Sequence, residues 1–313
     1  MGKYTVIQGQ NIFDVALYLY GSIEGIVDLI MNNPSHSLAS VLNRGDVLEF
    51  SDGFVINPDI TTHFRLNNIT PSNGERNVYF KKSVFPKVFK ISLTGKKTSA
   101  AFSVSGCGTM EIDWGDNTSM ETVMLSGDSK RIFHTFDNSV SRQRKIVIYG
   151  DFSVKQLDFS DLAAAKVLLL RPVLAEKFSF KDACTGIDFM ALLKDVYEVN
   201  LRGLKTTTLL PLIENKNLFI LDLRDSHFSE EVLDEYLITL VKKHYSRRSC
   251  TVYLSQTPSG IYGEPYRNQY GKYEVTSGME AVWLLCNEPS WNEAGYWNFF
   301  INEEVYTSEK SNK

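Results

Sequence analysis

The residues most able to do chemistry are scattered through this chain. Cys107, Cys184, Cys250 and Cys286 form no C-x-x-C pair, and none has a histidine at metal-ligand spacing. In a chain made in the cytosol they read as reduced, mostly buried thiols. His36, His63, His227 and His244 lie among polar or charged neighbours with no nucleophile nearby, as surface histidines do. His134 follows a Trp114-Gly115-Asp116-Asn117 turn. A His134–Asp116 acid–base pair or a calcium site on Asp113, Asp116 and Asn117 would use these types. The spacing is not that of an EF-hand, and the residues read better as fold determinants. No P-loop, H-E-x-x-H or G-x-S-x-G is present. Gly106 and Gly108 begin a G-x-G, but Glu111 stands where a dinucleotide fingerprint needs its third glycine. Nothing local marks two of the 37 carboxylates as a glycosidase pair. The expectation is a protein that is not an enzyme and uses neither cofactor nor metal.

Elements to position such groups come from 313 residues, enough for two or three domains. Hydrophobic residues make up 43% and charged residues 22%, which excludes long disorder. A net charge of −4 argues against a nucleic-acid partner held by general positive charge. No apolar run approaches the roughly 20 residues of a membrane span. Met1 to Gln8 goes straight into a strand-like pattern without a secretory signal, so a chain made in the cytoplasm is expected.

In the first fifty residues, Tyr4 to Gln8 reads as a strand, Asn11 as a helix N-cap, and Ile12, Val15, Ala16 and Leu19 as one buried helical face. Gly21 stops that helix, and a second follows with Ile23, Ile26, Val27 and Ile30 before Asn33-Pro34. Val47 to Phe50 closes as a strand. The wording YTVIQGQNIFDVALYLYG…NNPSHSLASVLNRGDVLEF resembles the LysM domain, in the version of small phage tail proteins of the tail protein X type. Gln10 departs from the acidic residue common in that family. The resemblance implies either a groove for N-acetylglucosamine polymers or a purely structural joint. The groove would be lined by Gly9, Gln10, Asn11 and Ile12 on one side and Asn33, Pro34 and Ser35 on the other.

Residues 51–86, rich in Asn, Pro, Ser and Gly, read as an extended connector with a short strand such as Asn77 to Phe80. Alternating patterns follow at Val88–Leu93, Ala101–Val104, Met110–Trp114, Arg131–Phe136 and Lys145–Tyr149, the spacing of a small β-sandwich over 87–151. The pieces EIDWGDNTS, HTF and VIYG resemble the PKD domain, an immunoglobulin-like sandwich, which would place Trp114 in the core and the Gly115-Asp116 turn in a hairpin.

The remainder, 152–313, repeats itself. LDFSDL from Leu157, FSFKDA from Phe178, VNLRGL from Val199, LDLRDS from Leu221 and VYLSQT from Val252 line up as strands with one buried face. The period resembles leucine-rich repeats, although Asp161, Asp182, Gly203 and Asp225 stand near the place of the family's asparagine. Ser229 caps a helix with acids at its start and Lys242, Lys243, Arg247 and Arg248 towards its end. The aromatic tail, Trp291 to Tyr306, reads as a cap on the stack, with an exposed carbohydrate platform as the alternative.

The expected fold class is therefore multidomain α+β: a βααβ LysM-like module (1–50), a connector (51–86), a PKD-like β-sandwich (87–151) and a leucine-rich-repeat-like α/β solenoid with a C-terminal cap (152–313). The expected function is a non-enzymatic structural protein of a phage or prophage tail, made in the cytoplasm and carried in the virion or tail particle, at its baseplate or tail tip. Its partners would be other tail or surface proteins. The alternative is an adhesin that recognises peptidoglycan or another N-acetylglucosamine-containing glycan.

Overall fold

The computed structural model describes residues 1–72, 81–94, 97–116, 118–136, 144–243 and 249–308. The strand expected at Asn77 to Phe80 lies outside these residues, as do Asn117, His244, Arg247 and Arg248.

At the N-terminus, β1 (Gly2–Thr5) pairs antiparallel with β2 (Val47–Phe50), Gly2 opposite Phe50 and Thr5 opposite Val47. Between them lie α1 (Ile12–Tyr20) and α2 (Ile26–Asn32). The start of α1 is fixed by a reciprocal cap. The Asn11 side chain accepts the Asp14 N–H at 2.7 Å, and the Asp14 carboxylate accepts the Asn11 N–H at 3.1 Å. Its end is Gly21 in the left-handed region. Val6, Ile12, Val15, Ala16, Tyr20, Leu29 and Leu48 make a small core of their own.

The stretch expected to be an extended connector carries a third helix, α3 (Pro58–Leu66). Asn57 caps it through the N–H groups of Asp59 and Ile60, and Pro58 sits in the first turn, where its missing N–H costs nothing. The Ile56 and Asn57 N–H groups both donate to the Tyr20 carbonyl at 2.9 Å, which ties the entry of α3 to the end of α1. The N-terminal unit thus extends well past residue 50.

The rest of the chain is built on β3 (Lys87–Leu93), β4 (Ser99–Asp113), β5 (Glu121–Ser126), β6 (Lys130–Thr135), β7 (Lys145–Asp158), β8 (Ala164–Leu169) and β9 (Val173–Ser179). It continues through β10 (Leu193–Lys194), β11 (Glu198–Asn200), β12 (Ile220–Leu223), α4 (Glu230–Lys243), β13 (Thr251–Leu254), the hairpin β14 (Tyr266–Arg267) and β15 (Tyr273–Glu274), α5 (Gly278–Asn287), β16 (Asn298–Ile301) and β17 (Glu304–Tyr306).

The two long strands decide the architecture. β4 pairs with β6 through Ser99–Val104 and with β5 through Cys107–Ile112, while β7 runs antiparallel to it along most of its length. The changeover falls at Gly106 and Gly108, where the register shifts between Ser105 and Gly106. A Cβ at Gly106 would run into the Ser153 carbonyl, and one at Gly108, whose φ is +110°, into that of Asp151. Likewise β7 pairs with β3 in its first part and, parallel, with β9 in its last.

These pairings correct the expected fold class. A separate sandwich followed by a separate solenoid does not form. The chain is mostly β, and a 13-stranded mixed sheet, counted among the described residues, runs through both regions. Its main path is β17-β16-β13-β12-β11-β9-β7-β3-β8. The strand that carries VIYG in its first half and ends on Leu157-Asp158 is one strand, β7, which crosses residue 151. A single apolar core extends from Val88 to Ile301.

In the parallel part, Leu157, Phe178, Val199, Leu221, Val252 and Phe299 lie side by side across six strands, all buried. The residue after each faces the other way. At the strand ends, Asp158, Asn200 and Asp222 each accept the N–H two residues on, at 2.9, 3.3 and 3.1 Å. Left-handed residues then turn the chain: Asp182, Gly203 and Asp225. These types tolerate that conformation, which is the physical reason they stand where they do. The 3₁₀ turns Asp188–Leu192 and Leu210–Glu214, with α4 and α5, contribute Met190, Leu212, Leu237 and Leu285 to the same core.

Candidate functional site

The residues expected to line a glycan groove are engaged inside the N-terminal unit. Gln10 is buried; its Oε1 accepts from the Tyr4 hydroxyl and the Ile7 N–H, and its Nε2 donates to the Pro71 carbonyl, all at 3.0 Å. Asn11 is the cap of α1 and Ile12 belongs to the core. Asn33 donates to the Leu29 and Glu49 carbonyls at 2.8 and 2.7 Å and accepts the Glu49 N–H at 2.9 Å, pinning the end of α2 to β2. Pro34 and Ser35 are exposed and Gly9 is half-exposed.

Outward, the same unit presents Ile23, Val27 and Met31. Their four-residue spacing runs along the 3₁₀ turn Ile23–Gly25 and α2, and they are 56%, 62% and 77% exposed. Residues 1–72 hold seven carboxylates against Lys3, Arg44 and Arg65, whereas the remainder of the chain carries 30 of each sign. The net negative charge of the protein therefore belongs to this unit. One of its acids is turned inward. Burial alone would raise the Asp28 carboxyl, but Ser51, Tyr20 and Asn32 hydrogen-bond it and hold it below its ordinary value. Burial and Asp28 together raise the Tyr20 phenol.

The Trp114–His134–Asp116 group is closed. Asp116 is fully buried; its Oδ1 accepts the Thr118 N–H and hydroxyl at 3.0 and 2.5 Å, and its Oδ2 meets His134 Nε2 at 2.7 Å. His134 stacks on Trp114, whose indole N–H donates to Glu121 at 2.9 Å. Asp113 is held by Lys81 at 2.9 Å and by the Gly115 N–H at 3.1 Å. These carboxylates are tied to protein donors, which makes the group a clasp at the β4–β6 edge. No cluster of three or more His, Cys, Asp or Glu is placed to hold a metal among the described residues. No helix among them is long and apolar enough to cross a membrane.

On the solvent face of the parallel strands, Arg224 grips Asp222 with Nε and Nη2, at 2.9 and 2.5 Å, and lies 4.8 Å over the Tyr253 ring. Tyr253 in turn stacks on Phe300, centroids 4.9 Å apart. Of the aromatic tail, Trp291, Trp297 and Phe299 are buried and close the end of the core. Only Phe300 joins the surface row, and Tyr296 stands exposed at the side.

One surface escaped the sequence reading: the segment 255–277 between β13 and α5. It carries Tyr262, Tyr266, Tyr270 and Tyr273 among Gly, Asn, Gln and Pro, and its middle is the β14–β15 hairpin. The regular recurrence of tyrosine in a turn-forming stretch was the available signal. Here burial, and then the Glu288 hydrogen bond, push the Tyr273 phenol up to about 12.

No protein-family model, curated protein or solved structure matches this chain.

Proposed function

We propose that this chain is a non-enzymatic structural protein of a phage or prophage tail, at the baseplate or tail tip, that docks through its N-terminal unit. The observation carrying the docking role is the uncovered Ile23–Val27–Met31 row on the most acidic part of the chain. Contiguous exposed apolar side chains are unfavourable in water and mark contact surfaces. The surrounding negative charge favours a partner with a basic rim and speeds its encounter. The tail assignment itself is supported by the likeness of residues 1–50 to small phage tail proteins. In this reading the long mixed sheet is a rigid spacer whose solvent face, with Arg224, Tyr253 and Phe300, is turned to neighbours.

Mass spectrometry of purified particles tests it: the chain is expected at stoichiometric abundance, and its absence from complete particles refutes the assignment. Val27→Asp should leave the fold intact, since Val27 is exposed, yet remove the protein from particles. Incorporation at the wild-type level would refute docking through this row.

A further inference from the structure

The loop 255–277 is too long for a simple connection. Loops beyond about 12–15 residues in a compact body are commonly functional or disordered. This one is anchored along its length. The Ser259 N–H donates to Asp234 at 3.1 Å, with its hydroxyl on the same carboxylate. Tyr262 accepts from Asn287 at 2.9 Å and lies against the Tyr306 ring. Tyr273 donates to Glu288 at 3.0 Å, and the Arg267 guanidinium lies 4.1 Å from the Tyr273 ring centre. Asn268 accepts the N–H groups of Tyr270 and Lys272 at 3.0 and 3.1 Å and so fixes the turn.

That framework holds three apolar side chains out in water: Ile261 at 86%, Tyr266 at 70% and Tyr270 at 79% exposure. Arg267 pairs opposite Tyr273 and Tyr266 opposite Glu274. Because strand side chains alternate, the inward contact of Arg267 with Tyr273 sends Tyr266 to the opposite, outer face. A rigid loop of Tyr, Gly and Asn is how recognition surfaces present large rings at low entropic cost.

We infer that this hairpin is a binding site for a neutral oligosaccharide, with Tyr266 and Tyr270 as the rings on which sugar C–H faces stack. Charge selects a neutral ligand: Glu264 is paired with Arg267, and Lys272 is offset by Glu274. The hairpin that presents the rings is narrow, with two residues in each strand, a width that suits an extended sugar chain. Exposed rings flanked by amide and carboxylate groups suit a narrow, hydroxyl-rich chain.

The test is titration of the full chain with maltotriose and with chitotriose, followed by ligand-observed NMR. At least one is expected to bind, with Tyr266→Ala/Tyr270→Ala about tenfold weaker and Tyr266→Phe/Tyr270→Phe close to wild type. Thermal unfolding of the alanine pair should match wild type, because both rings are exposed. Affinity should hold between about 0.05 and 0.5 M salt, as for an uncharged ligand. Failure of both sugars to bind at about 10 mM overturns the site, as does unaltered binding by the alanine pair or a steep salt dependence. Val27→Asp should bind sugar normally, so loss of the docking reading leaves this one standing, and the reverse.

Discussion

The imidazole of His134 lies flat on the indole of Trp114, ring centroids 4.5 Å apart and planes within 5° of parallel. Its far nitrogen reaches the fully buried carboxylate of Asp116 at 2.7 Å. Asp116 also receives Thr118, so one carboxylate joins the turn after β4 to β6. Asp116→Ala strands the Thr118 N–H and the histidine together. Leaving buried donors unmatched costs about 1–3 kcal/mol each, so a loss of about 2–4 kcal/mol is expected in urea unfolding followed by tryptophan fluorescence. A loss below about 0.5 kcal/mol would show that the clasp is not structural.

Asp28 sets the acid sensitivity of the N-terminal unit. Burial raises its carboxyl, but the Ser51 hydroxyl and N–H at 2.6 and 2.9 Å and the Tyr20 hydroxyl at 2.6 Å outweigh this and lower it below 3.8. A depressed folded-state value means the unfolded chain takes up the proton first. The stabilisation is thus complete above the unfolded value and is lost as pH falls through the folded one. All four tryptophans lie beyond residue 72, so fluorescence does not report on this unit. Hydrogen exchange of peptides spanning α2 and β2 is expected to accelerate below about pH 4 in the wild type. In Asp28→Asn it should be faster at neutral pH and vary less through the acid range. An unaltered acid profile in that variant would exclude Asp28 as the cause.

Local signals made the N-terminal elements legible. Asn11 and Asp14 cap α1 with neighbours in sequence, and Gly21 ends it alone. By the same logic α3 was readable, since Asn57-Pro58-Asp59 is a helix start, but the surrounding Asn, Ser and Gly composition read as connector. The large sheet was not legible because Gly106, Gly108 and Gly150 fall outside the expected strands Ala101–Val104, Met110–Trp114 and Lys145–Tyr149. In space they are interior residues that let β4 and β7 cross closely and change partners. Which strand a half-strand pairs with depends on chain far away in sequence, and alternation alone cannot supply that. For the candidate sites, Gln10 and Asn33 were placed in a groove by the resemblance to the LysM domain. Their burial depends on Pro71 and Glu49, which local patterning does not bring to mind.

Gly203 sits in the left-handed region at φ +70°, and a Cβ there would strike the carboxylate of Asp182, the left-handed residue of the preceding turn. Gly203→Ala therefore meets backbone strain of about 1 kcal/mol and a steric conflict with the neighbouring turn. A destabilisation of about 1–3 kcal/mol is expected, read as a lowered Tm. Gly203→Ala combined with Asp182→Gly removes the conflict and should recover part of the loss. If the double variant were no better than the single, the stacking of these two turns would not be the cause.

The four thiols divide into two pairs with different chemistry. Cys107 and Cys184 are exposed, while Cys250 and Cys286 are buried. Burial pushes the Cys286 thiol up to about 12, and only the thiolate attacks a disulfide reagent. Cys286 also lies on the buried side of α5, its Sγ 3.6 Å from the Tyr306 carbonyl, so a reagent reaches it only when the end of the core opens. A chromogenic disulfide reagent at pH 8 should titrate two thiols quickly in the native protein and four in denaturant. Cys107→Ser/Cys184→Ser should then show no fast phase. A fast phase that survives in this double variant would place Cys250 or Cys286 in contact with solvent and contradict the closed end of the core.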